Sequence, residues 1–582
     1  MFSFNWIEMK HRKTVLALLA VTACNAALLS AAEPTRAKAA AQVEPVPAEG
    51  SSGGLTDQIL YQYLISEIAG QRGRTSLAMR GLMDLAEKTR DARVARRAVE
   101  VAFQARELGM ALQATTLWLE IDPSSSVARQ ALGALSSGQS TLEDAQKSLA
   151  PLLAEPERAP RMLMQLNAFL ARFPDKPAVA EVVKTLAAPH SKVAEAQFAI
   201  AQAHFNAKNM TAALKSIDAA EQRRPGWSQA AILKSQVLRE QSEDKAREYL
   251  ENYVARYPSV NEVRVTLARL LVAQKSYLSA REQFRTAMKY DSRDTELPYA
   301  VGLLAQQIED FADAEIQFKR VLELSPADAN PVRFNLGLVA EGRKQPDDAV
   351  MWYRAVTSGE YFVNAQLKIA GIFAKRDGMT VARKFLKDAQ AAVSDAPETQ
   401  VQLILAEAQL LRDAKSHSDA FSLLSGAIVE RPDTADLLYD RAMVAEKIDK
   451  LDVMEADLRR VIELKPEHAH AYNALGYTLA DRNIRLQEAY ELVQKAIKLA
   501  PADVFIQDSL GWILYRLGRF DEALQTLSAA YETKRDPEIA AHLGEVMWTK
   551  GARDEALKLW RTSLAENPEN ETLASVLRKY QP

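Results

Sequence analysis

From about residue 57 onward, apolar runs of helical length alternate with short polar breaks. We find no alternating β-branched runs joined by Asn-Gly or Asp-Gly turns, and glycine, at 22 of 582 residues, is about half its usual share. The pattern therefore predicts an all-α fold. Because the chain is about four times the length of a typical domain, it favours an architecture that grows without a single central core.

The helical runs repeat with a period of about 34 residues. A small residue recurs about twelve positions before the end of each unit: Ala213, Ala246, Ala280, Ala314, Ala349, Ala382, Ala420, Ala489, Ala523 and Ala556. A bulky residue follows each of these four positions later: Ile217, Leu250, Phe284, Phe318, Tyr353, Leu386, Leu424, Val493, Leu527 and Trp560. The upstream half of several units carries a Leu-Gly or similar pair: Val301-Gly302, Leu336-Gly337, Leu475-Gly476, Leu510-Gly511 and Leu543-Gly544. Agreement at several positions across many units predicts a tandem repeat.

The repeated pattern is that of the tetratricopeptide repeat, a hairpin of two helices. The small residues let two helix backbones approach closely, the bulky residue fills the space beside them, and a proline marks the turn into the next unit. We expect eleven units, which start near residues 194, 227, 261, 295, 330, 363, 401, 435, 469, 504 and 537. Since each hairpin buries its apolar face only against its neighbours, the sequence predicts an all-α tetratricopeptide helix-turn-helix solenoid, a right-handed superhelix with one concave surface.

The repeats are less regular ahead of residue 190. Weaker units are expected near residues 59, 92 and 126, marked by Ala78, Ala111 and Ala145, followed by a degenerate helical pair at about 160–190. Several prolines crowd that last stretch, where we expect any joint between two parts of the solenoid. The sequence thus predicts degenerate repeats over residues 57–190 and a regular tetratricopeptide solenoid over residues 191–582.

The N-terminal region has the features of an exported protein. A basic start is followed by an apolar stretch from Val15, and Val21-Thr22-Ala23-Cys24 resembles a bacterial lipobox. We predict a signal peptide at residues 1–23, lipidation of Cys24 and a flexible tether over residues 24–56. By the bacterial sorting rule, Asn25 implies the outer membrane, on its periplasmic face. Two alternatives stay open: ordinary cleavage after Ser30-Ala31-Ala32, and an uncleaved membrane anchor.

Composition argues against several kinds of chemistry. The formal net charge of −3 gives no excess of Lys and Arg for nucleic-acid binding. Cys24 is the single cysteine, so disulfide frameworks, Cys-rich zinc sites and thiol nucleophiles in the repeats are excluded, and the seven histidines are scattered. The sequence contains no GxSxG, GxxxxGK[ST], GxGxxG or HExxH motif. We therefore predict no catalytic residues, no metal site and no cofactor.

Binding of other proteins is the expected function of such a repeat array. The inward positions of the first helices in the last four units carry aromatic, amide and acidic side chains: Tyr439, Met443, Asn473, Tyr477, Asp508, Trp512, Tyr515, Glu545 and Trp548. Aromatic residues supply contact area and polar groups set direction, so the mixture is typical of a protein-binding surface. The alternative is that these aromatic side chains simply pack against the adjacent helix.

Four segments carry a more specific resemblance: LYQYLISEIAGQRG at 60–73, NALGYTLADR at 473–482, DSLGWILYRLGR at 508–519 and AAHLGEVMWTKG at 540–551. The chain resembles a group of proteobacterial tetratricopeptide lipoproteins, whose characterised member is the partner of a periplasmic carboxyl-terminal processing protease. The resemblance implies an outer-membrane adaptor that holds this protease and cell-wall hydrolases, its substrates, together. The alternative is a scaffold for exopolysaccharide secretion or for outer-membrane assembly.

Overall fold

A computed structural model describes residues 57–581, apart from residues 73, 106, 126, 130, 133–140, 155, 156 and 158. The described residues form helices and turns and include no β-strand, as the sequence predicts. The predicted signal peptide, the predicted lipidation site Cys24 and the whole of the predicted tether lie outside the described residues. None of the described helices is both long and apolar enough to cross a bilayer.

The chain divides into two compact units, which meet in sequence between Leu324 and Ser325. The α-helices of the first unit are α1 Asp57–Gln71, α2 Thr75–Thr89, α3 Ala92–Gln104, α4 Leu108–Ile121, α5 Leu142–Leu153, α6 Ala159–Leu170, α7 Lys176–Ala187, α8 Ala194–Asn206, α9 Met210–Arg223, α10 Ser228–Arg239, α11 Glu243–Arg256, α12 Asn261–Ala273, α13 Tyr277–Met288, α14 Glu296–Gln307 and α15 Phe311–Glu323.

The α-helices of the second unit are α16 Asn330–Gly342, α17 Pro346–Arg354, α18 Phe362–Arg376, α19 Met379–Ala392, α20 Pro397–Asp413, α21 His417–Glu430, α22 Ala435–Lys447, α23 Leu451–Leu464, α24 Ala469–Asp481, α25 Leu486–Leu499, α26 Val504–Arg516, α27 Phe520–Thr533, α28 Pro537–Thr549, α29 Arg553–Glu566 and α30 Glu571–Tyr580. In each unit, a helix packs against the next one in the chain, and the first helices of several successive hairpins also touch. Each unit is therefore a stack of helical hairpins of the tetratricopeptide type.

The predicted repeat starts are confirmed. Ten of the eleven predicted units begin with a helix within one residue of the expected position, from α8 at Ala194 to α28 at Pro537. The exception is α20, which begins at Pro397 rather than near residue 401. Proline at the first turn of a helix is favourable, because its missing N–H would have no partner there, so α20 extends back to Pro397.

Most turns between the two helices of a hairpin contain a residue with positive φ. The ten residues are Lys208, Lys275, Glu309, Lys344, Gly378, Lys415, Asp449, Asn483, Gly518 and Gly551. For residues other than glycine, this left-handed conformation costs about 1–2 kcal/mol. Its recurrence shows that packing of the two helices, rather than local preference, fixes the turn.

Small and bulky residues pack between the two helices of ten hairpins. All ten predicted alanines, from Ala213 to Ala556, are fully buried, and their ten bulky partners are at most 2% exposed. The glycines of the upstream pairs face these same bulky side chains. A Cβ atom at Gly337 would lie 2.3 Å from Tyr353, and one at Gly544 would lie 2.1 Å from Trp560. The close approach inferred from the sequence is thus confirmed.

The described part of the degenerate repeats ahead of residue 190 is also helical, with the marker alanines in its core. Ala78, Ala111 and Ala145 are fully buried, and the expected helical pair at 160–190 consists of α6 and α7. Buried residues of this pair belong to one apolar core that runs from Ala69 to Ala203. The proline-rich stretch is therefore continuous with its neighbours, and the division between the two compact units falls instead at Ser325. The predicted boundary between degenerate and regular repeats near residue 190 stays a prediction.

The first and last described helices differ in what they show to water. Helix α1 leaves five large apolar side chains 41–66% exposed: Leu60, Tyr61, Leu64, Ile65 and Ile68. Helix α30 exposes no large apolar side chain and buries Leu573 against α28 and α29. A polar outer face of the kind seen on α30 is typical of helices that cap a repeat stack, whereas the described face of α1 is apolar.

Candidate protein-binding surface

The residues predicted to bind proteins lie on four first helices of the second unit, α22, α24, α26 and α28. They fall into two groups by exposure. Tyr439, Met443, Tyr477, Tyr515 and Trp548 are half-buried and reach the surface. Asn473, Asp508, Trp512 and Glu545 are between 1% and 8% exposed, so they lie beneath that surface.

A buried ion pair lies at the centre of this region. The Nδ1 atom of His542 on α28 is 2.9 Å and 3.0 Å from the two carboxylate oxygens of Asp508 on α26. Both residues are buried. Burial by itself lowers the pKa of His542, but the charge and hydrogen bond of Asp508 outweigh it and raise this pKa above its usual value. The pair therefore ties two successive repeats together.

Three predicted aromatic residues gather around His542. Its ring stacks on Trp512 with centroids 4.4 Å apart, and Trp512 stacks on Tyr515 at 5.1 Å. The hydroxyl of Tyr477 is 3.5 Å from Nε2 of His542. Burial raises the pKa of Tyr477 well above its usual value, so its hydroxyl stays protonated. Tyr477 and Tyr515 thus contact a buried, stacked and hydrogen-bonded group of side chains, which we call the His542 cluster: Asp508, Trp512 and His542.

The structure places the remaining predicted residues outside this cluster. Tyr439 packs against His468 with centroids 5.0 Å apart, and burial raises the pKa of Tyr439 to about 12. Trp548 packs against Tyr580 of the terminal helix at 5.0 Å. Tyr439 and Trp548 therefore lie outside the His542 cluster. They are on the first helices α22 and α28 of the same four-helix set, which we call the first-helix row: α22, α24, α26 and α28.

Asn473 and Glu545 have buried polar groups with different environments. The Oδ1 atom of Asn473, like Nε1 of Trp512, has no hydrogen-bond partner among the described residues. Glu545 accepts a hydrogen bond from Nζ of Lys579 at 2.8 Å, so the terminal helix neutralises its charge. Both residues therefore lie in the layer beneath the half-buried aromatic side chains.

Sequence reasoning missed His542, which looked like one of several scattered histidines. The repeat period itself contains the signal. Asp508 and His542 are 34 residues apart, and so are the hydrogen-bonded pair Tyr515–Thr549 and the ion pair Glu545–Lys579. Residues one period apart occupy equivalent positions on adjacent hairpins, so polar residues at that spacing are candidates for contacts between repeats.

The chemistry of this surface suits binding. Within the described part of the chain, no three His, Cys, Asp or Glu side chains are arranged to hold a metal ion. The imidazole of His542 is engaged by Asp508 on one side, stacked on Trp512 and 7% exposed. The surface above it consists of aromatic rings and phenol groups, which supply contact area and hydrogen bonds.

These features define a tetratricopeptide-type helical repeat protein. Residues 299–361 and 509–571 match the family model described as tetratricopeptide repeat. A curated relative, TPR repeat-containing protein PA4667 of Pseudomonas aeruginosa, is 29% identical over 529 residues, which cover 85% of this chain and 83% of the relative. The matched family and this relative are both named for the repeat and for no enzymatic activity.

Two solved repeat structures are also similar to the chain. TTC0263 of Thermus thermophilus, a thermophilic TPR protein, is 23% identical. The match covers 30% of this chain and 98% of the TTC0263 chain, with a TM-score of 0.28. A chain of the APC/C hetero-tetramer Cut9-Hcn1 is 14% identical. The match covers 90% of this chain and 97% of that chain, with a TM-score of 0.30. At these TM-scores neither structure carries an argument, so the class rests on the hairpin geometry and the sequence matches.

Proposed function

We propose that the chain is a non-enzymatic adaptor of the bacterial envelope that binds other proteins on the first-helix row of its second unit. The observation that carries the proposal is the contact of two half-buried tyrosines, Tyr477 and Tyr515, with the His542 cluster. Aromatic side chains whose rings are already packed lose little conformational freedom on binding, which favours affinity.

The partners that we propose are a periplasmic carboxyl-terminal processing protease and cell-wall hydrolases that it degrades. Support comes from the resemblance of four segments to lipoproteins of the LbcA type, which hold such a protease. Binding of enzyme and substrate to one scaffold raises their effective concentration to the millimolar range, so the adaptor accelerates cleavage without taking part in the chemistry.

Affinity capture from periplasmic extract, read by mass spectrometry, tests this function. The intact chain should recover a processing protease and at least one wall hydrolase. The Tyr477→Ala/Tyr515→Ala chain should recover both at least about tenfold less, because aromatic anchors carry most of the energy of such interfaces. The matched control is Tyr290→Ala, which removes a tyrosine that is 51% exposed in the first unit.

Other outcomes would contradict the proposal in specific ways. Recovery of a polysaccharide synthase or an outer-membrane porin in place of the protease would support the secretion or assembly scaffold. Equal losses for Tyr290→Ala and the double variant would place the binding surface elsewhere.

We further propose that the protein is anchored to the periplasmic face of the outer membrane through Cys24. The lipobox-like segment before Cys24 supports this assignment, and two or three acyl chains give stable anchoring. Cys24→Ser should move the protein from the membrane fraction to the soluble periplasm. Unchanged fractionation would instead identify the apolar leader as the anchor.

A further inference from the structure

The middle of helix α1 turns polar side chains inward and apolar side chains outward. Nε2 of Gln62 donates to Oδ2 of Asp84 on α2 at 2.6 Å, and Ser66, one turn further along α1, is 2% exposed. Glu67 accepts two hydrogen bonds from Arg97 of α3, at 2.7 Å and 2.9 Å. The carboxylate of Glu67 is therefore neutralised within the fold.

The apolar side chains of α1 form a stripe that faces water. Tyr61, Leu64, Ile65 and Ile68 follow the spacing that aligns side chains along one side of a helix, and Leu60 lies one turn before Leu64. We call these five residues, which are 41–66% exposed, the α1 stripe. Single exposed apolar side chains are ordinary, but a contiguous group of them marks an interaction surface.

The α1 stripe lies on the described helix that is nearest in sequence to the predicted lipid anchor. The predicted tether, residues 24–56, joins Cys24 directly to α1. A random-coil segment of that length has a root-mean-square span of about 30 Å, so a lipidated chain would keep α1 within reach of the bilayer surface. At the other end of the chain, α30 exposes no large apolar side chain. The apolar helix is thus the one that the lipid would hold near the bilayer.

The tether itself is poorly suited to cover the α1 stripe. A helix that packs on such a stripe needs large apolar residues at helical spacing. Residues 33–56 contain Val43, Val46 and Leu55 as their large aliphatic residues and no aromatic residue. We therefore expect the covering surface to come from outside this chain.

Two arginines follow the α1 stripe. Arg72 and Arg74 lie directly after α1 and are exposed, and neither forms an ion pair with a described side chain. Arg72 is four residues after Ile68, so it continues the line of the stripe. Guanidinium groups bind phosphate oxygens well. Apolar side chains beside unpaired cations match the boundary of an anionic bilayer, where acyl chains lie beneath phosphate groups.

We propose that the α1 stripe docks on an anionic phospholipid surface, with its apolar side chains in the headgroup region and with Arg72 and Arg74 on phosphate groups. The inference rests on the proposed anchor at Cys24, because anchoring makes the docking intramolecular. A weak intrinsic affinity is then sufficient, since the tether supplies a high effective concentration of the bilayer. Docking would hold the first unit against the membrane instead of at the full length of the tether.

A fluorescent probe on the α1 stripe tests the docking. The chain from residue 25 to 582, without acyl groups, contains every described residue and no cysteine, so one substitution creates a unique labelling site. Tyr61→Cys places an environment-sensitive dye at a position that is 66% exposed, and Val429→Cys, at an 84% exposed valine of the second unit, is the matched control. Phosphatidylcholine vesicles with about one third phosphatidylglycerol should raise the emission at position 61 at least about twofold and leave the control unchanged.

The other outcomes of this experiment would overturn the proposal. They are equal responses at the two positions, no response at position 61, and an emission that rises with protein concentration without vesicles, which would show that a second copy covers the stripe. None of them bears on the anchor, because the tested chain carries no lipid. Membrane retention of Cys24→Ser bears only on the anchor.

Substitutions in the same chain measure the contribution of the apolar side chains. Tyr61→Glu/Leu64→Glu should lower co-sedimentation with the anionic vesicles at least about tenfold, because it places two carboxylates in the apolar contact. Ile316→Glu/Val429→Glu makes the same charge change at exposed apolar positions outside the stripe and should bind as the parent does. Circular dichroism and melting temperature check folding. Equal losses in the two variants would overturn the proposal.

The arginines are tested by the lipid charge. Arg72→Gln/Arg74→Gln should bind the anionic vesicles at least about threefold more weakly than the parent and should bind pure phosphatidylcholine vesicles equally well, because it removes the attraction to anionic lipid alone. Unchanged binding to the anionic vesicles would overturn the assigned phosphate contacts.

Discussion

Gly511 and Trp512 are adjacent in sequence but lie on two different faces of α26. Gly511 faces the second helix of its own hairpin, where a Cβ atom would lie 2.5 Å from Leu527. Trp512 faces the next hairpin and stacks on His542. The same division recurs at Gly544 and Glu545. We call the first of these faces the hairpin face and the second the inter-repeat face. On the hairpin face, lack of space determines which residues fit. On the inter-repeat face, the residues are determined by contacts that differ chemically from one repeat to the next.

Removal of the largest side chain of the hairpin face should have the largest effect. Trp560 is fully buried and fills the space opposite Gly544. Trp560→Ala should destabilise the last repeats by about 3–5 kcal/mol, the usual cost for a buried tryptophan. Urea unfolding combined with hydrogen exchange of α28 and α29 measures it. Lys558→Ala, on the exposed side of α29, is the control, and an equal loss there would contradict the role of Trp560 as a buried packing residue.

A larger side chain at a buried alanine of the hairpin face tests whether there is room for extra atoms. Ala523 is fully buried between α26 and α27, so Ala523→Leu should cost about 1–3 kcal/mol through overpacking. The control is Ala529→Leu, which lies on the exposed side of the same helix. An unchanged melting temperature of Ala523→Leu would show that the assigned repeat register is wrong.

The ion pair of the inter-repeat face should make stability depend on pH. Because Asp508 raises the pKa of His542 in the folded state, the pair stabilises the fold fully below the unfolded pKa of about 6.5. This contribution is lost as the pH rises through the folded pKa. Asp508→Asn should cost about 1–3 kcal/mol at pH 6 and progressively less at higher pH. Thermal unfolding across pH 5.5–9 measures this, and parallel curves for the two proteins would contradict the assignment.

The exposed edge of the inter-repeat face should matter least for stability. Tyr515 is half-buried, and its hydroxyl bonds to Thr549 at 3.1 Å. Tyr515→Ala removes this hydrogen bond and the stacking on Trp512, so it should lower stability by about 1–2 kcal/mol. If this edge binds proteins, capture of the partner should still fall markedly. A variant that unfolds rather than losing its partner would place Tyr515 in the core.

The hairpin face could be predicted from sequence because one steric rule repeats in every unit. Ala213 and its equivalents are buried as expected, since only a small residue fits between two touching helices. The inter-repeat face was predicted less well. Trp512 is 6% exposed and packs on the neighbouring hairpin, so its role in binding stays a prediction. Its environment depends on His542 of the next repeat, which no local pattern marks.

The hydrogen bonds that join Lys234, Glu221 and Tyr249 in the first unit were also outside the reach of sequence reasoning. These residues belong to three different helices, and their spacing of 13 and 28 residues follows no repeat rule. The exposed apolar face of α1 was similarly unexpected, because a helical period alone does not say which apolar residues find a neighbour. Both features follow from how hairpins meet, rather than from the pattern within one hairpin.

The contact between Gly337 and Tyr353 constrains the order in which substitutions at these two positions can accumulate during evolution. A methyl group at position 337 would collide with a fully buried ring, so alanine becomes tolerable there only after Tyr353 has been replaced by something smaller. If Gly337 were replaced first, the single variant would carry both the alanine and the tyrosine ring and would fold poorly. Aligned descendants of this sequence should therefore show the two positions changing as a pair, with the larger partner shrinking first.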